Sequence, residues 1–169
     1  MAKSRECNDR LPAGQGQLVR VTSRVPQKGG GMYRVTRAID FCYGHRLLNY
    51  EGKCRHLHGH NGRAVITIQA EQLDARGMVL DFGEIKQTVQ GWIDQTLDHR
   101  MILCRDDPAV PFLQQLNEPI CLIDANPTAE TIARMIYEFT SEQGYPVLDV
   151  RLWETPRCYA TYGPSPTDG

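Results

Sequence analysis

An α+β domain, with helices packed on one face of an antiparallel sheet, is the architecture this chain predicts. Three observations carry it. Two long runs, at 33–45 and 58–70, alternate as strands do; two runs, near 82–97 and 126–143, carry helical stripes; and two short alternating runs, 147–155 and 158–162, close the chain. Strands, then helices, then strands is the order of an α+β fold rather than of a parallel α/β one.

The first 31 residues read as different material. Pro12, Gly14, Gly16, Pro26 and Gly29-Gly30-Gly31 punctuate polar sequence, with Leu18-Val19-Arg20-Val21 as its one strand-like fragment. A flexible arm is expected over 1–31, a domain over 32–164 and a short tail over 165–169. Met32 directly follows the glycine run and opens the first regular segment, which makes it a candidate natural start.

Within the domain each element has its own signal. Tyr33, Val35, Ile39, Phe41 and Tyr43 share one parity, so 33–45 reads as a strand with His45 on its apolar face and Arg37 as the exception. A polar turn, Asn49-Tyr50-Glu51-Gly52-Lys53, precedes a second strand from about His58 to Ala70. There Ala64, Ile66, Ile68 and Ala70 continue the parity of His58 and His60, provided no bulge intervenes at Gly59 or Gly62. The pair is therefore expected to form a hairpin that brings three histidines together. Asp81 with Glu84 reads as a capping box for a helix from Phe82 to Leu97, buried through Ile85, Val89, Trp92, Ile93 and Leu97. A short helix is expected over 108–116 and a short strand over Ile120 to Ile123. Asn126-Pro127 reads as an N-cap followed by proline at the first position of a second full helix. Its buried face is Ile132, Met135, Ile136 and Phe139, and Gly144 ends it. Val147 to Thr155 and Cys158 to Tyr162 then form a hairpin around Pro156-Arg157.

Composition excludes several classes. A formal net charge of −1 and a pI near 6.5, without a dense Lys/Arg run, argue against a nucleic-acid partner. Six scattered cysteines with no Cys-x-x-Cys pair are neither a secreted disulfide framework nor a cysteine-rich zinc finger. Met1-Ala2-Lys3-Ser4-Arg5-Glu6 leads into polar sequence rather than an apolar signal core, and no run approaches the ~18 apolar residues of a membrane span. A soluble cytoplasmic protein is expected.

The chemistry concentrates in Cys54-Arg55-His56-Leu57-His58-Gly59-His60. Side chains two apart on a strand share a face, with Cα atoms roughly 6.5–7 Å apart, so two imidazoles can converge on one ion. With His45, the pair His58 and His60 offers three neutral imidazoles, a set that suits Zn²⁺ with a fourth position open, as catalytic zinc requires. A closed site with Cys54 as fourth ligand is the structural alternative, and His56 shares the parity of the pair. Asp98-His99 can work as carboxylate and base only if the helix has ended there, because adjacent helical residues do not face each other. Glu154 shares the parity of Leu148, Val150 and Leu152, so a carboxylate falls on an apolar face and needs a partner. That partner is either an internal arginine or a ligand edge with two parallel N–H donors. Thr128 and Glu130 open the second helix, where they cap it or lend its amides to a ligand.

Six ordered motifs then carry a resemblance: Phe41-x-x-x-His45-Arg46-Leu47, Cys54-x-x-x-His58-Gly59-His60, Met78-Val79-Leu80-Asp81-Phe82-Gly83, Leu97-Asp98-His99, Pro127-Thr128-Ala129-Glu130 and Glu154-Thr155. From Met32 to Tyr162 the chain resembles the 6-pyruvoyl-tetrahydropterin synthase and 6-carboxytetrahydropterin synthase family. The resemblance implies a tunnelling fold, with a four-stranded antiparallel sheet and two main helices, assembling through trimers into a homohexamer. It implies zinc on His45, His58 and His60, Cys54 as general base, Asp98 with His99 as a proton relay, and Glu154, helped by Thr128, on the pterin ring. The substrate implied is 7,8-dihydroneopterin triphosphate. The short Cys54-to-His58 spacing resembles the branch that releases acetaldehyde on the path to queuosine, rather than the biopterin branch that keeps a pyruvoyl product. Tyr43-Gly44 departs from the small residues usual before the first histidine, and bears on substrate scope. Two other readings stand beside this one: another pterin enzyme of the same fold, and a catalytically silent zinc-stabilised assembly module. Arg46, Lys53, Arg55 and Arg100 are the cations near the motifs that favour a triphosphate substrate.

Overall fold

A computed structural model describes residues 31–164. Most of the expected arm, including its Leu18–Val21 fragment, and the tail over 165–169 lie outside the described residues. The strands are β1 (Tyr33–His45), β2 (His58–Ala70), β3 (Arg100–Cys104), β4 (Ile120–Ile123), β5 (Val147–Thr155) and β6 (Cys158–Tyr162). The helices are α1 (Phe82–Ile85), α2 (Gly91–Thr96), α3 (Val110–Gln115) and α4 (Ala129–Glu142), with a wide turn over Lys86–Gln90 joining α1 to α2. The six strands form one sheet in the order β4-β3-β1-β2-β5-β6.

The centre of that sheet is the expected hairpin. β1 and β2 pair antiparallel without interruption from Tyr33 opposite Ala70 to His45 opposite His58, so no bulge breaks the parity at Gly59 or Gly62. Ile39, Phe41, Tyr43, Ala64, Ile66 and Ile68 face the core, while Asp40, Asn61 and Arg63 face away. The helical segment from α1 to α2 and α4 cover the first face: Ile85, Val89, Ile93, Leu97, Ile132 and Ile136 are fully buried against it. Trp92 stacks on Phe139, at 4.5 Å between ring centroids, and so ties the first helical segment to α4.

The four-stranded antiparallel description needs correction, because the sheet has six strands and is mixed. β3 runs parallel to β1 (His45 opposite Ile102) and β4 runs parallel to β3. The strand expected over Ile120–Ile123 is present and the one over Arg100–Cys104 was not expected; both runs are short and without alternation, so no period assigns either to this sheet.

The helix starts also differ in detail. Asp81 caps α1, but through the Gly83 amide at 2.7 Å, and the Glu84 carboxylate lies 3.7 Å from Arg76 instead of closing a reciprocal box. The stripe Ile85, Val89, Ile93, Leu97 advances by four residues, which rotates about 40° per step on an ideal α-helix. The wide turn over Lys86–Gln90 takes up that drift and keeps all four side chains on the core. At α4 the N-cap is Thr128, whose hydroxyl accepts from the Thr131 amide at 3.4 Å; Asn126 and Pro127 lie outside the helix. Asn126 instead clamps the loop after β1, accepting from the Leu48 amide at 2.7 Å and donating to the Leu48 carbonyl at 2.9 Å. Gly144 follows the helix with φ +85°, the left-handed residue that ends it.

Replacing Asn126 by Ala strands both Leu48 backbone groups in a part-buried site. The expected loss is about 1–3 kcal/mol, read as a lower urea midpoint at unchanged denaturant slope. An unchanged midpoint would contradict the clamp.

Candidate active site

The antiparallel register dictates what the end of the β1–β2 hairpin can hold. His45 lies opposite His58, and Tyr43 opposite His60, so all four side chains share the core face. One ring nitrogen from each histidine lies within 4.8 Å of the other two. His45 is buried at 3% exposure, and the other two are half-buried.

The proton positions follow from what the far side of each ring touches. His45 Nδ1 lies 2.6 Å from the Pro127 carbonyl, and His58 Nδ1 lies 2.8 Å from the His56 carbonyl. A carbonyl only accepts, so both Nδ1 atoms carry the proton and both Nε2 atoms present a lone pair. Those two Nε2 atoms face each other at 3.0 Å with no hydrogen available to share. Two ligands on one tetrahedral zinc stand about 3.3 Å apart, given bonds of roughly 2.0–2.1 Å. The lone pairs are thus held where a cation would draw on both, and the two carbonyls fix tautomer and ring orientation. Burial lowers the His45 pKa, against the Pro127 carbonyl and Glu154, which raise it; the net effect favours the neutral ring a metal needs. The residues fit a divalent metal on their own geometry.

His56 is exposed and sits in the turn before β2, so it is no substitute ligand; its contribution here is its carbonyl. The shift of the α4 start past Pro127 has the same consequence, since it leaves that carbonyl outside the helix and available to His45.

Glu154 is placed beside the cluster, with Oε1 3.9 Å from His45 Nε2. Its partner is not an arginine but Tyr43, whose hydroxyl donates to Oε1 at 2.8 Å. Burial, together with the neighbouring carboxylate, pushes the Tyr43 pKa far up, so the phenol keeps its proton and acts as a donor. Tyr43 is 3% exposed, packs 5.4 Å from Phe41 and lies edge-on to His45. A side chain at Gly62, diagonally across from Tyr43 on β2, would meet that ring at 2.8 Å, which is why a glycine stands there. This link to Glu154 was not read from the sequence, although Tyr43, a bulky residue where the resemblance implies small ones, was the signal available.

Cys54 lies in a single 3-10 turn, Lys53–Arg55, and its carbonyl accepts from the Leu47 amide at 2.8 Å. That tie holds it in the loop joining His45 to His58. It is not one of the residues whose ligand atoms converge with the histidines, so the geometry gives the closed four-ligand site no support.

The helix does end before Asp98, as the Asp-His pair requires. His99 takes a left-handed φ of +53°, and its Nδ1 lies 2.7 Å from Asp98 Oδ2. Burial disfavours the Asp98 anion, but the Cys42 amide and His99 outweigh it and hold the carboxyl below its usual range. The pair joins the sheet beside Cys42, whose amide donates to Asp98 Oδ1 and whose carbonyl accepts from the His99 amide. Cys42 and Asn61, opposite each other between the Phe41 and Tyr43 levels of the ladder, point away from the core. Within one chain, therefore, the structure does not bring Asp98 and His99 to the histidine face. Two clefts, of about 650 and 1270 Å³, meet on that outer face along Cys42, Asn61 and His99. The larger also reaches Glu154.

The four expected cations are not equivalent. Arg46 is committed to the buried Asp107 carboxylate at 2.7 Å, and Arg100 donates to the Gln95 carbonyl. Arg55 and Lys53 stand in the turn beside Cys54.

A family model described as 6-pyruvoyl tetrahydropterin synthase matches residues 34–165. The chain is 36% identical over 135 residues to a protein of Rickettsia bellii named 6-carboxy-5,6,7,8-tetrahydropterin synthase, covering 76% of this chain and 98% of the relative. A protein of the same name from Haemophilus influenzae is 30% identical over 139 residues, covering 78% and 99%. Among solved structures, an uncharacterised protein from Wolinella succinogenes superposes with a TM-score of 0.71 at 28% identity, covering 80% of this chain and 100% of that one. The 6-pyruvoyl tetrahydropterin synthase of Caenorhabditis elegans shares the fold, with a TM-score of 0.61 at 24% identity over 80% and 97%. With that match extending from the first strand past the last, the chain belongs to the 6-pyruvoyl tetrahydropterin synthase family.

Proposed function

We propose that this chain is a zinc-dependent lyase that converts 7,8-dihydroneopterin triphosphate to 6-carboxy-5,6,7,8-tetrahydropterin, with loss of triphosphate and acetaldehyde, as on the path to queuosine. The observation that carries it is the set of converging imidazole lone pairs, in a chain of this family, beside a carboxylate held by a phenol. The names of the relatives favour this branch over the one that keeps a pyruvoyl product.

Bound to His45, His58 and His60, zinc would supply Lewis acidity to the substrate's side-chain oxygens. The other roles belong to the chain. Glu154 accepts the paired N–H donors of the pterin edge, with the Tyr43 hydroxyl fixing one carboxylate oxygen. Thr128 helps from the N-terminus of α4, next to the carbonyl that orients His45. Cys54 takes a proton from the substrate side chain, and Lys53 and Arg55 stand beside it to meet the triphosphate. His99, oriented by Asp98, relays protons. Because that pair faces away from its own chain's histidines, we place it in a site completed between subunits of a trimer-based hexamer. Among the described residues no helix is long and apolar enough to cross a membrane, and we place the protein in the cytoplasm.

Incubating zinc-loaded protein with dihydroneopterin triphosphate is expected to yield 6-carboxytetrahydropterin and acetaldehyde, identified by mass. Absence of turnover would overturn the lyase reading, and a retained pyruvoyl side chain would move it to the other branch. Cys54→Ala is expected to keep full zinc content while turnover falls about 10²–10⁴-fold, the range for loss of a general base. Loss of zinc with the thiol would instead make Cys54 a ligand.

Tyr43→Phe keeps the ring that packs on Phe41 and His45 but removes the donor to Glu154. With a hydrogen bond to a charged group at about 1.5–3 kcal/mol, KM should rise about 10- to 100-fold while kcat and zinc content hold. A fall in kcat at constant KM would contradict this positioning role.

A further inference from the structure

We propose a second divalent-cation site on the outer face of the sheet, built from Cys42, Asp98 and His99 and separate from the three histidines. The three side chains each offer one ligand atom, and these atoms lie within 4.8 Å of one another. Sulfur, imidazole nitrogen and carboxylate oxygen together suit a borderline cation such as Zn²⁺. Around a bound zinc such atoms stand about 3.5 Å apart, inside that spread.

The cluster is pinned rather than fortuitous. Asp98 Oδ1 accepts from the Cys42 amide at 2.8 Å, and the Cys42 carbonyl accepts from the His99 amide at 2.6 Å. His99 holds a left-handed φ of +53°, a conformation that costs a non-glycine residue free energy and is kept here by those bonds. Opposite Cys42 on β2, the Asn61 amide oxygen lies 3.2 Å from the sulfur, where it accepts from the thiol and offers a fourth, oxygen donor. Both outer-face clefts are lined by Cys42, Asn61 and His99, so an ion can reach the cluster from solvent.

Within one chain the sheet separates this site from the first. Cys42 alternates with Tyr43, and Asn61 with His60, so their side chains leave the opposite face. Binding displaces the Cys42 thiol proton to solvent and leaves a thiolate on the metal. It is expected to be the weaker site, since His99 is 79% exposed whereas His45 is buried. One consequence rests on the proposed reaction: an ion there withdraws Asp98 and His99 from proton transfer, so excess zinc slows turnover.

The binding claim is tested on chelator-stripped, full-length protein titrated with Co²⁺ alone, following bound metal per chain and the near-ultraviolet thiolate-to-cobalt band. The expected result is two equivalents, the second bringing the band. Cys42→Ala should lose the second equivalent and the band together; Cys54→Ala should keep both. His99→Ala, a change at an exposed side chain, should lose the second equivalent alone and so guards against a Cys42 variant that fails to fold. A single equivalent in the unmodified protein would overturn the site. So would a band that disappears with Cys54, or one that persists at full stoichiometry in His99→Ala. None of these outcomes depends on which reaction the histidine cluster catalyses.

Discussion

The unbroken pairing of β1 with β2 is the constraint on which everything else depends. Thirteen consecutive cross-strand partners leave no freedom in parity, so Tyr43, His45, His58 and His60 must share one face while Cys42, Gly44, Gly59 and Asn61 share the other. A one-residue slip of β2 against β1 would put His58 and His60 on the opposite face from His45 and break up the cluster. The register is itself enforced by the core, because Ile39, Phe41, Ala64, Ile66 and Ile68 are almost fully buried on the same face as the histidines. Apolar burial thus fixes the geometry of the imidazole cluster.

Fine positioning comes from backbone carbonyls placed by neighbouring elements. The loop clamped by Asn126 and the late start of α4 bring the Pro127 carbonyl to His45, and the turn before β2 brings the His56 carbonyl to His58. Each supplies an acceptor to Nδ1 and so leaves Nε2 with a free lone pair. Tyr43 adds a second layer. Its bulk is accommodated by glycine at position 62, and its hydroxyl sets the Glu154 carboxylate. The tyrosine thereby links the histidine cluster to the Glu154 carboxylate.

Much of this was legible in the residues. Period-two alternation placed His45, His58 and His60 on one face, and the stripe of Ile85, Val89, Ile93 and Leu97 gave the helix. What was not legible lacked a periodic signal. β3 and β4 are short apolar runs whose parallel pairing depends on tertiary packing, so the sheet was expected to be smaller and wholly antiparallel. Asn126-Pro127 has the composition of a helix start, but Thr128 took the cap and freed Asn126 for Leu48 and Pro127 for His45. Glu154 was recognised as needing a partner, yet an acceptor pattern cannot say whether an arginine, a ligand or a phenol 111 residues earlier will supply it. Cys42 gave no signal at all, because its cluster exists only once β3 lies beside β1.

The central claim is that three imidazoles, and no thiolate, hold one catalytic ion with a position left open. X-ray absorption on protein loaded with a single equivalent of Zn²⁺ tests it most directly. The account predicts a shell of nitrogen and oxygen at roughly 2.0–2.1 Å with imidazole outer-shell scattering and no sulfur. A sulfur contribution near roughly 2.3 Å at that first equivalent would contradict it, since it would put a cysteine in the coordination shell and close the site.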